Sequence, residues 1–246
     1  MRKIAISLSK GGTGKTTTAI NLAHGLALAG RRVLLVDCDT QGQASFFLGI
    51  QAEKGLSDIL SGEATAQEAI VLARERLWLL AGGRDLAKAV VGIAKRQGAI
   101  EKALSEGLAP LKKSFDFIIL DTAPGWDILS VNILFYAEEV LCPVSLEVAA
   151  IQSLGEFIER LADIRAYNAR LRLQYVLPTF MDRRVRQAGE LLAQLEGHFR
   201  ERLCSPIRYN VRLSEATGHG KSIFEYAPRS VGAEDYHKLI ERIVHE

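Results

Sequence analysis

With 246 residues, 48% of them hydrophobic and 24% charged, the chain has the make-up of an ordinary globular protein. It is long enough to bury a sizeable α/β core, and it lacks any apolar run of the roughly 18 residues that a membrane span needs. The net charge of +2 excludes a polyelectrolyte but conceals an asymmetry: Arg160 to Arg212 holds eleven arginines and five acids, so a basic stretch is set in an acidic remainder.

In chain order, Lys3 to Ser9 reads as a buried strand that begins almost at once, leaving no room for a signal peptide. Ser9-Lys10-Gly11-Gly12-Thr13-Gly14-Lys15-Thr16-Thr17 follows, and Thr17 to Ala29 has the apolar spacing of a helix that stops at Gly30. Strand, glycine loop, Lys-Thr and helix are the context of a phosphate-binding loop. Gly11, Gly12 and Gly14 let backbone N–H groups converge on phosphate oxygens, and the helix start adds partial positive charge. In that reading Lys15 reaches the β- and γ-phosphates and the Thr16 hydroxyl holds Mg²⁺.

Arg32 to Asp37 is a continuous apolar run ending on an acid, as a parallel strand buried on both faces requires. The polar loop from Cys38 to Ser45 then falls at the carboxyl edge of the sheet, where open α/β folds hold ligands. Thr65-Ala66-Gln67-Glu68 is a capping box that opens a helix through Leu72, Leu77 to Leu80 a strand, and Asp85 to Leu108 a helix weakened by Gly92 and Gly98. Phe115 to Asp121 is the second apolar strand ending on an acid. Trp126 and Asp127 mark a helix start. Glu139 to Val144 and Leu171 to Leu177 are further strands on either side of an amphipathic helix, Ala149 to Tyr167. The alternation predicts a doubly wound, mostly parallel α/β sheet with helices on both faces, in a single domain spanning 1–246. Cys38, Cys142 and Cys204 have neither metal-ligand nor disulfide spacing, and Cys142 and Trp78 read as core residues. His24 and His219 lack partners at ligand or triad spacing and read as structural. The expected location is the cytoplasm.

The loop departs from the common pattern G-x-x-x-x-G-K-[ST], because Ser9 replaces the first glycine and Lys10 is added. In this form, K-G-G-x-G-K-T, the chain resembles the ParA/MinD ATPases, a deviant branch of the P-loop NTPases. The resemblance implies ATP and Mg²⁺ as cofactors, bound by the loop from Lys10 to Thr17, including Thr13. It implies a nucleotide-sandwich homodimer in which Lys10 acts on the partner's phosphates. Asp37-Cys38-Asp39-Thr40-Gln41-Gly42-Gln43 resembles the family's D-x-D-P-Q-G-N segment, which assigns Asp39 to the attacking water and Asp37 to the neighbourhood of the metal. Asp121 takes the Walker B position, with Ala123 at the first proline of the usual D-x-P-P.

Asn210-Val211-Arg212-Leu213-Ser214-Glu215-Ala216, Asp182-Arg183-Arg184 and Pro228 to Glu234 narrow the resemblance to the short chromosome-type ParA (Soj) subgroup. There the arginines at Arg184 and Arg212 bind double-stranded DNA without sequence preference, with Arg183, Arg186, Lys221 and Arg229 as neighbours. Asn210 is the expected adenine contact, although Arg208 stands where the family has proline. The resemblance also implies a ParB-like stimulating partner and a nucleoid association. The alternative is a MinD-like membrane-associated regulator. It needs a basic amphipathic tail, whereas the apolar residues from His237 to Glu246 read as the inner face of a last helix.

Overall fold

Short apolar runs, buried at nearly every position in the central strands, build the sheet. In the computed structural model, which describes residues 1–246, the first half runs β1 (Arg2–Ile6), α1 (Lys15–Leu28), β2 (Val33–Cys38), α2 (Gln43–Phe47), α3 (Leu56–Ser61), α4 (Ala66–Ala69), β3 (Ile70–Arg74), β4 (Leu77–Leu80), α5 (Leu86–Ala94) and α6 (Ala103–Gly107). The second half runs β5 (Phe117–Thr122), α7 (Ile128–Tyr136), β6 (Glu139–Ser145), α8 (Val148–Tyr167), β7 (Arg172–Thr179), α9 (Arg186–Phe199), α10 (Val211–Gly218), α11 (Ile223–Tyr226) and α12 (Val231–His245). The seven strands form one sheet in the order β3-β4-β2-β5-β1-β6-β7, parallel throughout except for β3.

Ile4 and Ile6 of β1 pack into the hydrophobic cluster beneath α1 and α12, whereas Ala5 joins the cluster beneath α7 and α8. The period of two thus gives one core per sheet face. Strands covered on both sides have no polar face, which is why β2 and β5 read as unbroken apolar runs. The last helix packs closely on the first. A Cβ at Gly25 of α1 would lie 1.9 Å from the Ile240 side chain, so only glycine permits this approach. Its apolar residues Tyr236, Leu239, Ile240 and Ile243 are buried there, as the inner-face reading expected.

Two expected helices are corrected. The capping box at Thr65 forms, Thr65 N–H donating to Glu68 Oε2 at 2.8 Å, but the helix ends at Ala69 rather than Leu72. Ile70 and Val71 instead pair antiparallel with Leu80 and Leu79, so cross-strand bonding at the sheet edge overrides continuation of the helix. The segment from Asp85 to Leu108 is three pieces: α5, a short 3₁₀ turn at Ile100–Lys102 and α6. Gly98, at φ 108°, sits in the break. Trp78 is partly buried, edge-on to Phe115 at 5.4 Å, and Cys142 is fully buried with its thiol pKa pushed up by desolvation.

Candidate nucleotide site and basic surface

The loop after β1 is shaped by backbone demands. Gly14 caps α1 in the left-handed region, at φ 85°, where a side chain would be strained. No side chain caps the helix, so its first amides remain available to an anion. The loop is also fixed from outside, because Thr179 Oγ1 donates to Thr13 O at 3.0 Å and Gly125 N–H to Ser9 O at 3.1 Å. Lys15 is buried and donates from Nζ to Lys10 O at 2.7 Å. Burial lowers the pKa of its ammonium, while Asp121 and Asp39 oppose that shift. These groups enclose a cavity of about 380 Å³ whose wall includes Gly11, Gly12, Lys15, Thr16, Asp39 and Gln41. Lys10 lies outside this wall and is half-exposed.

The three expected acids have different surroundings. Asp37 accepts N–H bonds from Asp39 and Ala44, both at 3.0 Å, and burial pushes its pKa up to about 6. Asp39 accepts the Gln41 N–H at 2.9 Å through Oδ1 and lines the cavity. Asp121 is fully buried, and neither of its carboxylate oxygens has a hydrogen-bond partner. Desolvation, reinforced by Asp37, pushes its pKa well up, against the influence of Thr16 and Lys15. A buried carboxylate left this way is costly unless a cation completes the site. The Thr16 hydroxyl beside it suits a hydrated Mg²⁺, which takes oxygen ligands and few protein carboxylates. No group of three or more His, Cys, Asp or Glu is placed to hold a metal by itself.

A second cavity, of about 370 Å³ and largely apolar, adjoins the first. Its walls include Ile207, Tyr209, Asn210, Leu213 and Tyr236. Asn210 caps α10, accepting the Arg212 N–H through Oδ1 at 2.9 Å. That bond fixes the amide, so the buried Nδ2 is left as a donor without a partner. Arg208, at the expected proline, also lines this cavity, but Asp235 and Glu234 hold its guanidinium at 2.7 Å. Tyr236 and Thr18 share a hydroxyl bond of 3.1 Å that ties this wall to α1.

The expected basic residues lie on two segments that the fold brings together. Arg183, Arg184 and Arg186 are exposed at the β7–α9 connection, and Arg212 is exposed in the first turn of α10. Tyr209 N–H donates to Met181 O at 3.0 Å, joining the two segments. Arg184, Arg186 and Arg212 pair with Asp182, Glu190 and Glu215 at 2.7–2.8 Å, all on their own segments. Such exposed pairs are weak enough for a phosphate to displace. Lys221 and Arg229 are exposed on either side of α11.

Sequence reasoning missed two aromatic walls, Phe47 and Phe180, and a buried polar cluster behind α1. In that cluster His24 Nδ1 lies 2.6 Å from Ser222 Oγ, and Arg74 from β3 binds Glu225 at 2.6 Å. Arg74 also donates to Leu48 O and Gly220 O, joining the end of α2 to the turn before Lys221. His24 remains structural, its pKa lowered by burial.

Free amides at a glycine-capped helix start, facing an uncompensated carboxylate at the end of a neighbouring strand, define the class: a P-loop nucleotide hydrolase. A family model described as "AAA domain" matches residues 1–173. Over 246 residues the chain is 41% identical to the chromosome-partitioning ATPase Soj of Thermus thermophilus, covering 99% of this chain and 96% of that one. It is 36% identical to the sporulation initiation inhibitor protein Soj of Bacillus subtilis, covering 98% and 97%. Among solved structures, cobyrinic acid a,c-diamide synthase from Mycobacterium smegmatis, with bound ADP and magnesium, superposes with a TM-score of 0.86 at 30% identity, covering 100% of this chain and 94% of that one. The chain belongs to the ParA/Soj family of chromosome-partitioning ATPases. It is an ATPase, and ATP and Mg²⁺ are its cofactors.

Proposed function

We propose that the whole chain, 1–246, is a partition switch in which ATP closes a homodimer, the dimer binds DNA without reading its sequence, and a ParB-like partner triggers hydrolysis and release. The observation that carries this reading is the first turn of α10. Asn210 faces the nucleotide cavity, while Arg212, two residues on, is exposed to solvent on a segment joined to that of Arg184 through Tyr209 and Met181. A base held at Asn210 therefore fixes the segment that presents the arginines. Lys10 supports the dimer: outside the wall of its own cavity, its charge is free for a partner's phosphates. Bound Mg²⁺ neutralises charge on the phosphate oxygens. This chain's residues do the rest. The loop amides and Lys15 hold the phosphates, Thr16 and Asp121 hold the ion's shell, and Asp39 orients water. Asp37 braces the acidic loop behind them.

The apolar face of α12 is buried against α1, so this helix is not the amphipathic anchor that the MinD-like alternative needs. The expected site of action is the nucleoid. The test is Arg212→Glu. It should lower ATP-dependent DNA affinity at least about tenfold and make the dependence of affinity on salt shallower, while ATP-dependent dimerisation persists. Binding equal to that of the unaltered protein, or DNA binding that needs no ATP, refutes the reading.

A further inference from the structure

The two cavities share four wall residues: Gly14, Thr17, Phe47 and Phe180. Two of these belong to the phosphate loop. The other two are phenyl rings delivered from separate elements, Phe47 from the end of α2 and Phe180 from just beyond β7. Any molecule occupying both cavities has to pass between these four residues.

Phe180 is unusual in two respects. Its backbone lies in the left-handed region at φ 55°, which a bulky L side chain rarely adopts, and the residue is 45% exposed. Its neighbours are pinned: Thr179 Oγ1 bonds Thr13 O, and Met181 N–H bonds Ile207 O, each at 3.0 Å. The chain must therefore turn at residue 180, and glycine or asparagine would make that turn with less strain. Phenylalanine there directs its ring over the phosphate loop, with ring atoms 3.9 Å from where a Gly14 Cβ would stand. Half-exposed, the ring gains too little burial for core packing to explain the choice.

We propose that Phe180 and Phe47 form a sugar throat, two rings that bracket the ribose of the bound nucleotide between the base and phosphate chambers. The inference rests on reading the apolar cavity with Asn210 as the base chamber. The C–H faces of a ribose suit aromatic walls through dispersion. Phe47 follows the acidic loop through α2, so a sugar in the throat also restrains the segment that begins at Asp39.

The experiment compares Mg²⁺-ATP with Mg²⁺-tripolyphosphate by titration calorimetry, since tripolyphosphate fills only the phosphate chamber. The unaltered chain should bind ATP more tightly. Phe180→Ala should weaken ATP about tenfold and leave tripolyphosphate within about twofold. Phe180→Gly should weaken ATP equally, with a melting temperature of the ligand-free protein at or above that of the unaltered chain, because the strain is relieved. A ring that merely shields the loop would instead weaken both ligands together, and a ring that never touches the nucleotide would change neither; both results overturn the throat. Equal affinity of the unaltered chain for ATP and tripolyphosphate would remove the base chamber itself, whatever the Phe180 variants do.

Discussion

The ends of β2 and β5 lie side by side, with Asp37 in register with Asp121, and both carboxylates are fully buried. One is saturated and the other bare. Asp37 accepts two backbone amides from its own loop, while Asp121 accepts none. Burial disfavours ionisation of both; at Asp37 the amides of its own loop oppose it, whereas at Asp121 Thr16 and Lys15 do. Two acids that look alike in sequence, each closing an apolar strand, thus have different tasks. Asp37 spends its oxygens on two amides of its own loop, and Asp121 keeps both unbonded, as the proposed ion site requires. Hydrogen-bond satisfaction, more than burial or position, separates the brace from the ligand.

The most severe way to break this contrast is Lys15→Ala. It removes the buried cation that faces Asp121 and the phosphates together, so ATP affinity should fall about a thousandfold or more in calorimetry. Unchanged affinity would sink the phosphate-loop assignment. Asp121→Ala is next. Mg²⁺-dependent ATPase activity should drop about a hundredfold or more, yet the ligand-free protein should melt at the same or a higher temperature, because an uncompensated buried carboxylate has gone. Asp37→Ala should show the opposite balance. Two buried amides lose their acceptor, so stability should fall by about 1–3 kcal/mol in denaturant titration. If both variants destabilise the protein equally, the distinction fails.

The pH dependence sharpens the same comparison. Asp37 has its folded pKa raised to about 6 by burial, above its ordinary carboxylate value, so the folded state holds the proton more tightly than the unfolded one. Its contribution is most favourable below the unfolded value and is lost as pH rises through about 6. The stability deficit of Asp37→Ala relative to the unaltered chain should therefore grow as pH falls from 7 towards 5, less so where Asp121, relieved of the charge of Asp37, takes up a proton in the same range. Taking the difference cancels His24, whose depressed pKa works in the opposite direction.

How much of this was legible in the sequence depended on how local the governing interaction is. Strands covered on both faces announce themselves as apolar runs, so β1, β2, β5 and β6 were readable, and the glycine loop fixed where the phosphates go. The Thr65 capping box correctly marked a helix start but carried no information about its length; β3 begins five residues later because Ile70 and Val71 find partners across the sheet edge. Asn210 came from the resemblance, and its fixed donor became visible only through the cap it makes to Arg212. Phe180 gave no signal, since neither its positive φ nor its place between two cavities follows from a pattern of residue types. The contrast between Asp37 and Asp121 was also hidden, because it depends on which amides the folded loop turns toward each carboxylate.

The most direct test of the switch is Asp39→Ala, measured as ATPase rate alongside ATP-dependent retention on DNA. Asp39 lines the phosphate cavity, and in the proposed mechanism Lys15, Thr16 and the loop amides hold ATP without it. Hydrolysis should be lost while the ATP-bound dimer stays on DNA and resists release by its partner. Loss of ATP binding and DNA binding together, or turnover at the unaltered rate, would contradict the account.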